Sequence, residues 1–364
     1  MDIDSVLSEM RNLIPIGFEK YAPRFRKYER LLQKEVKDNP NNIRAVCMLA
    51  MVKFELRKRT STSLKYLESS YNRLKDSVSD FDFCLLATNT AYFYIEECAD
   101  KEKFAIELLK AAIKRNSPFA QTYYALALEY YKENQFEYAL PLFQKAAEIS
   151  SFFRYYYNYA ICLNKCNQIE QSIKILKVLS CDFDTHEYKA KAYYSLGVLY
   201  ASLGEIKKVR EIATQLLNTA YSDFDIEHDM LADLMFSVGE FQLCLDLYDK
   251  EKLWESADWL SIYFYIQKKT NRANDAFKKL SDVIDKISME IMHCTLDDFD
   301  GNKKEFYEYI NSEKERIESI KTAYNNIFHD NIKPVATLHT RLIYGCYYID
   351  CPRHRVDEIQ NTVI

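Results

Sequence analysis

Near the C-terminal end, in ATLHTRLIYGCYYIDCPRHR, stand four side chains that can bind a soft metal: His339, Cys346, Cys351 and His354. Thiolate sulfur and imidazole nitrogen suit zinc, but the spacings Cys-x4-Cys and Cys-x2-His are irregular for a structural site. The expectation is therefore no bound metal, and a metalloprotein or enzyme built on this Cys/His group is the alternative of another class. Cys162 and Cys166 lie four apart on one helical pattern; no second ligand pair follows them, so they read as small residues in helix packing. The tripeptide Asp-Phe-Asp recurs at Asp80–Asp82, Asp182–Asp184, Asp223–Asp225 and Asp298–Asp300. Calcium would need a glycine and a glutamate where Lys303 and Tyr309 stand after Asp298. The second Asp of each is instead read as a helix cap, with the Phe packing back as a staple. Asp82 with Phe81 over Leu86, and Asp184 with Phe183 over Tyr188 and Glu187, satisfy that pattern, whereas the other two copies do not.

Other catalytic signatures are missing from the string. Six glycines, at 17, 197, 204, 239, 301 and 345, make no phosphate-cradling loop or dinucleotide fingerprint. No G-x-S-x-G elbow or H-E-x-x-H helix occurs. The many carboxylates fall on the solvated faces of amphipathic helices, where no spacing supports paired acid–base chemistry. The chain is expected not to be an enzyme and to carry no cofactor.

The elements that must position any site are helices. With 6 Gly and 7 Pro in 364 residues, against 48% apolar and 28% charged, the chain has few places to turn sharply. Sheets need such turns and helix interiors reject them, so the fold class is all-α. A net charge of −5 lacks the basic excess of a duplex-binding protein, so nucleic acid is not an expected partner. The opening MDIDSVLSEMRNLIPIGFEK has no secretory apolar run, and no 18-residue apolar stretch implies a membrane span. Ten cysteines scattered singly read as reduced, buried thiols of a cytoplasmic protein.

Self-similarity orders those helices. From Ala120, AQTYYALALEYYKENQFEYALPLFQKAAEIS reads as two amphipathic helices around a polar turn at Lys132–Gln135. Tyr123, Leu126, Ala127 and Tyr130 recur on the first, and Ala139, Leu142, Phe143 and Ala146 on the second. Small residues at Ala127, Ala139 and Ala146 let the helices approach, and Leu126, Tyr130 and Phe143 fill the space between. The pattern resembles the tetratricopeptide repeat, a helix-turn-helix of about 34 residues. It continues through Tyr156, Tyr159, Ala160, Leu163, Ser172, Leu176 and Leu179. A third unit follows with Tyr193, Leu196, Gly197, Tyr200, Val209, Ala213 and Leu216, with Gly204 at its turn. A fourth has Leu231, Ala232, Met235, Gly239, Cys244 and Tyr248. Upstream, Ala105, Leu109 and Ala112 mark a second helix, and the segment beginning Asp258 alternates two more helices with its turn out of register by about one residue.

The resemblance implies tandem helix-turn-helix repeats stacked into a right-handed superhelix, an α-solenoid, with a long helix and atypical cap at the C-terminus. Residues 1–41 are assigned to N-terminal helices and a half-repeat, 42–292 to the array with its best units over 101–250, and 293–364 to the C-terminal segment. Lys303 to Phe328 reads as one charged helix packing through Phe306, Ile310, Ile317, Ile320 and Tyr324. RLIYGCYYI is expected to form an apolar helix or strand that covers the open end of the stack.

In tetratricopeptide arrays the first helix of each unit lines the concave groove. By that resemblance the partner-binding residues are Gln121, Tyr124, Leu128, Tyr131 and Lys132 of one unit, Arg154, Tyr157, Asn158, Ile161 and Lys165 of the next, and Lys191, Tyr194, Val198 and Ser202 of a third. Tyrosines interleaved with Arg and Lys can bury apolar side chains while bonding a peptide backbone. The family's carboxylate clamp for chaperone tails is matched at Asn158 and Lys191 but not where Tyr124, Leu128 and Ser195 stand. The expected function is a non-catalytic scaffold that holds a protein or peptide partner in its groove. A peptide-sensing regulator and an immunity or antitoxin protein are sharper versions of the same reading.

Overall fold

The computed structural model describes residues 2–97, 101–182, 186–218, 228–251 and 256–354. Among these the secondary structure is helical, with no strand. In chain order the α-helices are α1 (Ile3–Leu13), α2 (Phe18–Asp38), α3 (Ile43–Glu55), α4 (Thr60–Leu74), α5 (Asp80–Glu97), α6 (Glu102–Lys114), α7 (Ala120–Lys132), α8 (Phe136–Ile149), α9 (Phe153–Lys165) and α10 (Ile169–Asp182). They continue as α11 (His186–Ser202), α12 (Ile206–Asn218), α13 (His228–Ser237), α14 (Phe241–Glu251), α15 (Ala257–Lys269), α16 (Ala273–His293) and α17 (Lys303–Phe328). No described helix is long and apolar enough to cross a membrane.

One turn chemistry recurs between paired helices. Arg57, Asn134, Asn167, Gly204, Gly239 and Asn271 each adopt positive φ just after the first helix of a pair. The next amide then bonds back across the turn: Lys58 to the Lys53 carbonyl (3.2 Å), Gln135 to Tyr130 (2.8 Å), Gln168 to Leu163 (2.9 Å), Glu205 to Tyr200 (2.9 Å), Glu240 to Met235 (3.0 Å) and Arg272 to Gln267 (2.8 Å). This closes the orphan carbonyls of the helix end and reverses the chain, and Asn and Gly are the residues that tolerate it best. The α15–α16 turn keeps the same construction, so its slip in sequence register is a shortened repeat and not a different turn. The small-residue positions are packed as expected: Ala105, Ala112, Ala127, Ala139 and Ala146 are buried completely. These paired helices, in tandem and with a shared turn, make a tetratricopeptide-like fold.

The contacts divide the chain into two compact units, residues 1–182 with 341–364, and 183–340. This differs from boundaries at 41 and 292, which follow the repeat pattern along the chain and not the long-range contacts. In the first unit, Ile43, Val46, Leu67, Leu86 and Phe93 share a core with Tyr348, Ile349 and Cys351, while α1 and α2 pack Met10, Phe25 and Leu32 on the other side of α3. In the second unit, α11 carries Gly197, where a Cβ would stand 2.9 Å from Leu234 Cδ2 of α13. There α17 packs on α15, with Phe264 and Tyr324 edge to face at 5.3 Å. Lys268 donates to the Ile327 carbonyl at 2.6 Å, placing a cation at the α17 C-terminus.

Two sequence expectations need correction. The segment RLIYGCYYI is neither helix nor strand and does not close the end of the stack: it lies along the first helices of the first unit, with Tyr347, Tyr348, Ile349 and Cys351 at most 5% exposed. Its side chains Tyr348 and Ile349 join the core that Ile43, Val46, Leu67, Leu86 and Phe93 form. The Asp-Phe-Asp segments also cap differently. Ser79 receives the Asp82 amide (3.1 Å) and donates to its carboxylate (2.8 Å), so Asp82 is the acidic member three residues inside the helix. Phe81 lies against Phe119 instead of folding back. Asp298 plays the same part for Thr295, accepting from its amide at 2.8 Å. The copies at 182–184 and 223–225 lie largely outside the described residues.

Candidate functional site

Helices α3, α5, α7 and α9, the first members of successive pairs, supply the side chains that hold residues 343–353. Asn158, on α9 and fully buried, grips one residue twice: its Nδ2 donates to the Ile343 carbonyl (2.9 Å) and its Oδ1 accepts the Ile343 amide (2.8 Å). Tyr124, on α7, donates its hydroxyl to the same carbonyl at 2.7 Å. Asn89, on α5, repeats the two-point grip on Ile349, with bonds of 3.1 Å to the carbonyl and 2.7 Å from the amide. An amide side chain matches a peptide unit in both donor and acceptor, so this recognition reads backbone and not side-chain identity.

Between the two asparagines Arg154 donates to the Cys346 carbonyl at 3.2 Å. Its guanidinium lies over the rings of Tyr124 (4.9 Å), Phe152 (5.1 Å) and Tyr155 (5.6 Å), which fixes its direction. Gly345 passes beneath it: a Cβ there would sit 1.8 Å from Arg154 Nη1. Beyond this point Tyr347 and Tyr348 meet the Tyr92 ring edge to face at 5.2 and 5.5 Å, and the Tyr348 hydroxyl donates to the Cys47 carbonyl at 2.7 Å. Burial pushes the Cys47 thiol up to about 12, so it remains neutral. The run ends in ion pairs: Arg44 with Asp350 (3.0 Å) and Asp4 (2.7 Å), and Arg353 with both carboxylate oxygens of Glu55 (2.5 and 3.1 Å). Glu55 is nearly inaccessible, so Arg353 neutralises a buried charge.

Of the residues assigned to the groove from the sequence, Tyr124, Arg154 and Asn158 come together on this segment. Tyr131 packs on Phe136 and Phe143, Tyr157 stacks on Phe153, and Lys132 pairs with Glu129 at 2.7 Å. Leu128 and Ile161 are buried, Gln121 is half-buried and Lys165 is exposed. Lys191, Tyr194, Val198 and Ser202 belong to the second unit. Asn89, Arg44, Glu55 and Tyr92 were missed. An asparagine inside the apolar run FCLLATNTAYFY was the available signal, since a buried amide needs a partner.

The tail cysteines and histidine stand on the same segment. Ligand atoms of Cys346, Cys351 and His354 all lie within 4.8 Å of one another. His339 is not among them and belongs to the second unit. The Cys351 thiol donates to Cys346, which with neighbouring His354 holds Cys346 below the usual thiol range; Cys351 is raised correspondingly.

No protein-family description matches the chain, and no curated protein matches it. Solved structures do. YrrB, described as a tetratricopeptide protein with an unusual peptide-binding site, is 16% identical over 51% of this chain and 91% of its own, with a TM-score of 0.43. The apo form of RapI is 12% identical over 91% of this chain and 100% of its own, at 0.48. Yeast Tom70 is 12% identical over 85% of this chain and 63% of its own, at 0.40.

Proposed function

We propose that the protein is a non-catalytic interaction scaffold that takes up a peptide, or the extended segment of a protein, along α3, α5, α7 and α9, with its own residues 343–353 holding that place until a partner competes for it. The observation that carries this reading is the paired grip of Asn89 and Asn158 on the backbone of Ile349 and Ile343. Backbone recognition of this kind accepts another sequence of similar shape, and the Tyr92 ring, which meets Tyr347 and Tyr348, supplies the aromatic contact that selects among them. A tethered occupant competes at an effective concentration of order millimolar, so partners are excluded unless they bind well or the tail is dislodged.

Gly345→Lys places a side chain and a like charge against Arg154 and weakens the tail's hold. Capture from native lysate with this variant should recover a partner more strongly than wild type, and adding Asn158→Ala should abolish the gain. Equal capture by all three proteins, with helicity unchanged, would move the partner surface elsewhere.

A further inference from the structure

We propose that Cys346, Cys351 and His354 form a zinc site that closes the C-terminal turn over the first unit. Their ligand atoms already lie within 4.8 Å of one another, against a separation of roughly 3.7 Å for sulfurs sharing a tetrahedral zinc at the usual bond lengths. A contraction of about 1 Å, within reach of side-chain rotation, completes the arrangement. Two thiolates and one imidazole favour zinc over hard cations that take oxygen ligands.

The surroundings fit the same ion. The His354 Nε2 lies 3.1 Å from the Cys346 carbonyl; with Nε2 donating there, Nδ1 keeps the lone pair that a metal needs. Ligating imidazoles are held by just such a bond from the other ring nitrogen. Cys351 belongs to the core that receives the tail, and Cys346 packs against it, so the site borders that face. Cys351 is buried while Cys346 and His354 are half-buried, and three protein ligands leave the fourth zinc position to water. The irregular Cys-x4-Cys-x2-His spacing is explained by the turn at 349–354, which folds the three residues back on one another.

The site stands independently of the peptide-binding reading, and its test measures metal alone. Full-length protein purified under reducing conditions, loaded with zinc and dialysed against a weak chelator should retain the metal stoichiometrically. Cys351→Ser and His354→Ala should each lose it, while Cys162→Ser with Cys166→Ser keeps it. Cobalt should give thiolate charge-transfer absorption in the wild type and not in Cys351→Ser, with circular dichroism confirming that the variants stay folded. Absence of retained metal in the reduced wild type, retention by both tail variants, or a Cys346–Cys351 disulfide that persists in reductant would overturn the proposal.

Discussion

A buried asparagine that serves a peptide unit at both ends is costly to remove, because truncation leaves an amide and a carbonyl of the partner without bonds in a dry site. Asn158→Ala and Asn89→Ala are therefore each expected to destabilise the full chain by about 2 kcal/mol or more, read from urea denaturation. The cost should shrink sharply in a chain already carrying Gly345→Lys, where the tail no longer fills the site. Asp233, on α13 of the second unit, tests burial of the opposite kind. Burial raises its carboxyl to about 6, against the stabilising bond from the Tyr248 hydroxyl. The folded state then binds more protons than the unfolded state between about pH 4 and 6, so this group's contribution to stability falls as pH rises through that window. Asp233→Asn should remove that part of the slope when melting temperatures are compared across pH 4 to 7; parallel curves would contradict it. At this scale the repeat resemblance singled out Tyr124, Arg154 and Asn158 as groove residues, and the structure places them on the backbone of Ile343 and Cys346. The sequence offered Cys346, Cys351 and His354 together with His339 but not their grouping, because ligand spacing along a chain says nothing of a turn that folds back.

The elements were the most legible part, for a reason visible in their ends. Asn and Gly at 134, 167, 204 and 239 stand where the backbone turns left-handed, and apolar periodicity resumes directly after them. Asn134→Gly should leave stability nearly unchanged, whereas Asn134→Val, a β-branched residue at φ +56°, should cost about 1–2 kcal/mol. A harmless valine, measured by denaturant midpoint, would mean that the turn relaxes and does not set the repeat. The Asp-Phe-Asp segments show where local reading stops: the cap depends on whether Ser79 or Thr295 precedes the acid, a choice the tripeptide does not contain. The tail was misassigned because apolar residues announce burial without naming the surface that buries them.

At the scale of the whole molecule, the first unit joins segments far apart in sequence, Ile349 to Asn89 and Arg353 to Glu55. Contacts of such sequence separation are invisible to periodicity, which is why boundaries at 41 and 292 do not match the two units. The same joining makes the proposed function depend on exchange between an internal and an external segment. The most direct test is the affinity of a labelled peptide, RLIYGCYYIDCPRH, for the full chain in wild-type and Gly345→Lys forms under reducing conditions. The account expects weak or undetectable binding to wild type, binding at least about 100-fold tighter to Gly345→Lys, and loss of that gain when Asn89→Ala and Asn158→Ala are added. Equal affinity for both forms, or binding that ignores the asparagines, would contradict it.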